Sequence, residues 1–166
     1  MPLLPVSISI GILCGLWFQV TVWNSWLIAW VGYAAWASFY YAGGDKKALP
    51  KSIASNFAGM IQGAIFFWIW VKIGGGNMYA LSAIIGLFCF VMTMEGNLDF
   101  LSAIPGQFVG AAAYFGNLGA HEGDIWVTLL NTLVCMLIGN LAGLLSAKLP
   151  ELFKKPDEAV AEPAAE

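Results

Sequence analysis

The chain has 166 residues, of which 60% are hydrophobic and 10% charged, and a formal net charge of −3. A soluble domain carries about 25% charged residues, and here the mean hydropathy is +0.77, so the chain lacks the polar surface that water requires and lipid is its main solvent. Its seven basic residues are all lysine, which argues against nucleic acid as a partner, since arginine forks are the usual phosphate donors.

A membrane span takes roughly 20 apolar residues. The first such run, Pro5–Val22, has no basic leader and runs straight into another, so it reads as a retained span rather than a signal peptide. The second is Ser25–Ala42, after the short break VWNSW. GGDKKALPKS leads to the third, Ile53–Val71, and KIGGGN to the fourth, Met78–Met94. MEGNLD precedes the fifth, Phe100–Asn117, and NLGAHEGD the sixth, Ile125–Ala147. The expected fold is an all-α integral membrane protein, a bundle of about six transmembrane helices over residues 1–147. Residues 148–166, ending in KKPDEAVAEPAAE, read as a polar cytoplasmic tail with no means of burying a core, expected to be disordered.

Lysine placement orients the bundle. Lys46, Lys47 and Lys51 follow the second span, and Lys148, Lys154 and Lys155 follow the sixth. An even number of spans separates them, so both clusters share one face, and the positive-inside rule makes that face and both termini cytoplasmic. Trp23, Trp26, Trp68, Trp70 and Trp126 all land near the opposite interface, as an aromatic belt would.

In lipid, helices associate through small residues that let backbones approach. Such residues recur at helical spacing as Ser7, Gly11 and Gly15; as Ser52, Ser55, Gly59 and Gly63; and as Ser82, Gly86, Cys89 and Thr93. They recur again as Ser102, Gly106, Gly110, Ala113 and Asn117, and as Thr132, Cys135, Gly139 and Gly143. Each set is expected to form a packing face, and a bundle this small is expected to be a homo-oligomer. The second span instead carries Trp26, Trp30, Tyr33, Trp36, Phe39 and Tyr40, and reads as peripheral or lipid-facing. The offset of 75 positions that carries Ser7 to Ser82 also carries Gly11 to Gly86, Cys14 to Cys89 and Asn56 to Asn131. Elsewhere the match falls to background, so it is compatible with a weak 3+3 inverted repeat and no more.

Intramembrane ionisable residues usually mark function, and the spans have almost none. Their polar candidates are the amides Gln19, Asn56, Gln62, Gln107, Asn131 and Asn140, which can bridge helices or hydrogen-bond a solute in a pore. Pro105 falls about a turn and a half inside the fifth span, where it removes a backbone hydrogen bond and leaves the carbonyl near Leu101 in need of a donor. The result is a kinked helix packed through Gly106 and Gly110, or a discontinuous one with Gln107 at a polar constriction. Glu95, Asn97 and Asp99 are expected to form a cytoplasmic vestibule, with Asp99 capping the fifth helix. His121, Glu122 and Asp124 are expected at an acidic outer mouth. Cys14, Cys89 and Cys135 lie inside apolar runs, away from any metal spacing.

The segment FLSAIPGQFVGAAAYFG, Phe100 to Gly116, resembles the signature region of the YcdZ-like family of small bacterial inner-membrane proteins, which has a domain of unknown function. Six spans, a similar length and a basic second loop extend the resemblance over about residues 5–147. It implies a multi-pass protein of the bacterial inner membrane and supplies no functional residues.

No HExxH, GxSxG or phosphate loop occurs, so an enzyme is not expected and no cofactor or metal is implied. Small helix faces, buried amides and a broken fifth helix without a charge relay point to a channel or facilitator for a small neutral or weakly ionised solute. The alternative is a non-transporting protein that assembles with or supports a larger membrane complex.

Overall fold

The computed structural model describes residues 3–152, which form helices joined by short loops, with no strand among them. In chain order the helices are α1 (Leu4–Trp23), α2 (Ala29–Tyr41), α3 (Ala48–Lys72), α4 (Met78–Glu95), α5 (Ile104–Leu118) and α6 (Ile125–Leu152). Local chemistry sets several boundaries. Asn77 caps α4 by accepting from the amides of Tyr79 and Ala80 at 2.8 and 3.3 Å. Gly75 and Gly76 take positive φ just before it, where a side chain would be strained.

Among the described residues, four helices are long and apolar enough to cross a membrane: Leu4–Trp23, Ala48–Lys72, Met78–Glu95 and Ile125–Glu151. The other two are shorter than expected. Helix α2 has 13 residues and α5 has 15, about 20 and 22 Å of rise against a hydrocarbon core of about 30 Å. Each is entered through a non-helical segment. The one before α5 is a single 3-10 turn, Asp99–Leu101, followed by Ser102 and Ala103. Helix α6 runs five residues past Ala147, so the expected tail begins inside it; the rest of that tail lies outside the described residues.

The broadest contacts are α3 on α5 and α2 on α6. Both pairs run parallel: Ser55 lies beside Gly106 and Gly63 beside Tyr114, while Gly32 meets Gly139 and Phe39 meets Gly143. The two pairs are antiparallel to each other, since Asn56 bonds Asn140 while Ala64 and Ile61 lie with Ile125 and Leu129. Val31, Ala35, Ala113, Cys135 and Met136 form a core cluster within this four-helix centre, and Met60, Ala64 and Tyr114 form a second.

Helices α1 and α4 flank that centre and bury little: Ser9, Trp17 and Thr21 in α1, Met92 in α4. This reverses two expectations. The aromatic second helix is central, with Val31, Ala35 and Phe39 at 0% exposure. Its rings are accommodated because their polar tips find partners. Trp36 Nε1 donates to Ser146 Oγ at 3.1 Å, the Tyr40 hydroxyl lies 2.8 Å from the same oxygen, and Tyr33 donates to the carbonyl of Cys14 at 2.9 Å. Conversely, the small faces of α1 and α4 are not packing faces in the protomer. A methyl group on Gly11, Gly15 or Gly86 would meet nothing within 4 Å.

The lysines behave as the even span count requires. Lys46, Lys47 and Lys148 line one shallow depression, so these three share one end of the bundle; Lys154 and Lys155 lie outside the described residues. Trp68 and Trp126 line another depression together, with Trp126 at the start of α6 and Trp68 near the end of α3.

Candidate functional site

Between the parallel pairs lies a polar core that is closed to solvent. Asn56 on α3 is fully buried, and its Nδ2 donates to Ser38 Oγ at 3.0 Å and to the carbonyl of Gly106 at 2.9 Å. One amide thus ties the end of α2 to the start of α5. Asn56 Oδ1 accepts from Asn140 Nδ2 of α6 at 3.0 Å, and Asn140 also donates to the carbonyl of Met136 at 2.9 Å.

A second bracket repeats this arrangement in reverse. Asn131 on α6 donates through Nδ2 to the carbonyl of Trp26, in the segment that leads into α2. Its Oδ1 accepts from Asn117 near the end of α5 at 2.7 Å, and Asn117 also donates to Thr132 Oγ1 at 2.9 Å. Asn56 therefore joins the entry of α5 to the end of α2, and Asn131 joins the entry of α2 to the end of α5. These are the two asparagines that the 75-position offset relates.

Several buried polar atoms around the brackets have no protein partner. They are Ser52 Oγ, Ser55 Oγ, Gln107 Oε1, Asn117 Oδ1, Asn140 Oδ1 and the Tyr114 hydroxyl. Three of the six are amide oxygens, which only accept, and three are hydroxyls, which both donate and accept. A small solute that donates to the amide oxygens and can also pair with the hydroxyls is the chemistry that would satisfy them.

The backbones come close enough for this because glycines face them. A Cβ on Gly59 would overlap the carbonyl of Gln107, one on Gly110 the carbonyl of Asn56, and one on Gly139 the carbonyl of Gly32. A Cβ on Gly143 would lie 2.7 Å from the Phe39 ring and one on Gly106 3.0 Å from Ser55 Cβ, whereas one on Gly63 would stand 3.4 Å from Ala111, in ordinary contact. Of these, Gly59, Gly110 and Gly139 mark the tightest approaches.

The fifth helix is discontinuous, but Pro105 is not a breaker within it. The residue sits in the first turn of α5, where no backbone N–H is needed and its fixed φ suits the helix. The break lies earlier, at Ala103 with ψ of 66°. Gln107 is not at an open constriction; it is fully buried and donates through Nε2 to the carbonyl of Leu101 at 3.2 Å. That is the carbonyl expected to need a donor.

The expected vestibule resolves into three separate contacts. Glu95 Oε2 accepts from Gln62 at 2.7 Å, Asn97 Nδ2 donates to the carbonyl of Met94 in its own turn at 2.8 Å, and Asp99 Oδ1 pairs with Lys51 Nζ at 2.6 Å. Asp99 caps no amide, because α5 begins beyond the 3-10 turn. Gln62 accordingly faces α4 and stands apart from the other amides, and Gln19 is exposed on α1. In the expected outer mouth, Asp124 instead caps α6, accepting from the amides of Trp126 and Val127 at 2.9 Å each. Glu122 takes a left-handed backbone conformation in the preceding loop, and His121 ends a short 3-10 turn. Ser38 and Ser146, which tie α2 into the core, gave no signal in the sequence beyond lying on apolar helices.

A family described as "Protein of unknown function (DUF1097)" matches residues 7–151. "Uncharacterized protein YahC" of Escherichia coli (strain K12) is 32% identical over 167 residues, covering 91% of this chain and 94% of that protein. "Inner membrane protein YcdZ" of the same strain is 32% identical over 142 residues, covering 82% of this chain and 80% of the relative. Its namesake in Salmonella typhimurium is 30% identical over 142 residues, covering 82% and 81%. No solved structure matches. The chain belongs to this DUF1097 family, which agrees with the YcdZ-like resemblance of Phe100 to Gly116.

Proposed function

We propose that this member of the DUF1097 family is a facilitator for a small neutral or weakly ionised solute that donates hydrogen bonds. On this reading it works in the bacterial inner membrane as a multi-pass protein with its lysine-bearing end and both termini in the cytoplasm. The observation that carries the reading is the Asn56–Asn140 contact where α3 meets α6, flanked by buried amide oxygens without donors. Polar groups inside a membrane bundle are costly unless they are satisfied, and a donor-bearing solute would satisfy these. No catalytic step enters the mechanism.

The arrangement of helices supports a site on an internal two-fold. Exchanging α1, α2 and α3 for α4, α5 and α6 turns the α2–α6 contact into α5–α3 and carries Asn56 to Asn131, each of which joins the entry of one short helix to the end of the other. Transporters built from inverted repeats place their sites at the repeat interface, beside discontinuous helices. Passage would require one half to rock against the other, opening the Asn56–Asn140 contact to each side in turn.

The test is stopped-flow light scattering on proteoliposomes challenged with water, glycerol, urea, ammonia, formate, acetate and bicarbonate. Selective acceleration for a donor-bearing solute, lost in Asn140→Leu, is expected. Flux equal to empty liposomes for every solute, from folded protein, would reject the reading. The open glycine faces of α1 and α4 favour a second role, as seats for further copies of the chain or for a larger complex. Stoichiometric copurification with another membrane protein would point there.

A further inference from the structure

Two clefts on opposite flanks are lined by positions 75 apart. Ile10, Cys14, Tyr33, Trp36 and Tyr40 line a shallow one between α1 and α2. The same offset, the one that carries Cys14 to Cys89, leads to Ile85, Cys89, Phe108, Ala111 and Phe115, and all five line a groove between α3, α4 and α5. The flanks have diverged in what stands there. On the first, Trp36 is buried and tied by its indole to Ser146. On the second, Ala111 takes the place of Trp36, and phenylalanines take the places of Tyr33 and Tyr40. The groove reaches inward to Gly63 and Phe66 and has a volume of about 490 Å³.

Its polar groups stand at its ends. At one, Gln62 donates to Glu95 Oε2 at 2.7 Å, and Gln62 Oε1 is buried without a donor. At the other, Trp70 Nε1 is buried without an acceptor. Between them the α4 wall from Leu81 to Met92 is apolar and rises about 16 Å, close to the depth of one leaflet of a ~30 Å hydrocarbon core. Glu95 follows one turn beyond Met92, so the chain-binding wall ends at a carboxylate. A carboxylate beside a free amide oxygen accepts and cannot donate. It suits an ammonium group, which brings both donors and a positive charge, and disfavours a net anionic head; a hydroxyl can donate here but lacks the charge. Among the described residues no lysine lines the groove, and Lys51, about three turns before Gln62 on α3, is paired with Asp99.

We propose that this groove holds an acyl chain of an ethanolamine-headed phospholipid of the bilayer, with its ammonium against Glu95 and Gln62. The inference does not depend on transport. The full-length protein would be exchanged in mild detergent into an equal mixture of ethanolamine-headed and glycerol-headed phospholipids, washed, and its retained lipid quantified by mass spectrometry. Wild-type protein is expected to retain the ethanolamine-headed lipid near stoichiometrically and in preference to the other. Ala111→Trp, which rebuilds the Trp36 flank, should lower retention of both lipids. Ala112→Phe at the exposed rim should do the same, and it carries the test if the first variant does not fold. Glu95→Gln should still retain lipid but lose roughly tenfold in head preference, as expected for one charge-assisted contact. Equal retention of the two heads by wild-type protein would overturn the proposal. So would undiminished retention in a folded groove variant, or a Cys89–Cys89 cross-link between copies with no lipid retained.

Discussion

Asn140 donates to Asn56 at 3.0 Å across the antiparallel meeting of α6 and α3, joining the two halves of the chain at its buried centre. Replacing Asn140 by leucine leaves Asn56 Oδ1 without its donor, and replacing Asn56 frees the carbonyl of Gly106 and the Ser38 hydroxyl as well. Each single change is expected to destabilise by about 1–3 kcal/mol, with Asn56→Leu the more damaging. The double variant should cost less than the sum, by about 0.6–1.7 kcal/mol of coupling. Unfolding free energies of the four proteins in one detergent supply this cycle. Strict additivity would mean that the two amides do not interact.

Glycines divide sharply into two groups. Gly59→Ala and Gly110→Ala place a methyl group on a backbone carbonyl of the facing helix, an overpacking expected to cost about 1–3 kcal/mol or more. Gly11→Ala and Gly86→Ala meet open space within the protomer and should leave its Tm within error or slightly raised, since alanine favours the helix. Thermal melts of the four variants are the check. A large loss in Gly86→Ala would expose a close partner on α4 outside the protomer.

Pro105→Ala is a mild change on this geometry. Its position in the first turn of α5 means that no hydrogen bond is regained, while the freer unfolded chain costs up to about 1 kcal/mol. The break at Ala103 and the Gln107–Leu101 bond should persist. Hydrogen exchange across residues 98–107 reads this directly. New protection at Ser102 and Ala103 would show that the proline, and not the tertiary setting, keeps the helix from extending.

Lys51 and Asp99 pair at 2.6 Å, but the aspartate side chain is 89% exposed. The pair is expected to contribute no more than about 1 kcal/mol and to weaken with salt. Asp99→Asn should therefore barely move the Tm at physiological ionic strength. A loss of several kcal/mol would instead assign the carboxylate a role in positioning the 3-10 turn before α5.

Composition and local pattern were enough for the solvent, the existence of all six α-helices among the described residues, and the shared end of Lys46, Lys47 and Lys148. These depend on the chain's own hydropathy and on counting crossings. The carbonyl of Leu101 was also legible as one in need of a donor, because backbone hydrogen bonds inside lipid must be accounted for. Gln107 answers it from six residues away.

What the sequence could not decide was which helices lie inside. Water sorts a soluble helix by contrasting its polar and apolar faces, but lipid is as apolar as leucine, and an aromatic helix and a glycine-striped one fit equally well inside or outside. The tertiary structure put α2 at the centre because Ser146, Asn56 and the carbonyl of Cys14 meet its polar groups from other helices. It left the small faces of α1 and α4 open because nothing in the protomer fits against them. It also joined Asn56 to Asn140 and Asn131 to Trp26 across separations of 84 and 105 residues. Which amides meet was fixed by how closely glycine allows two backbones to approach, a property of pairs of helices and of neither one alone.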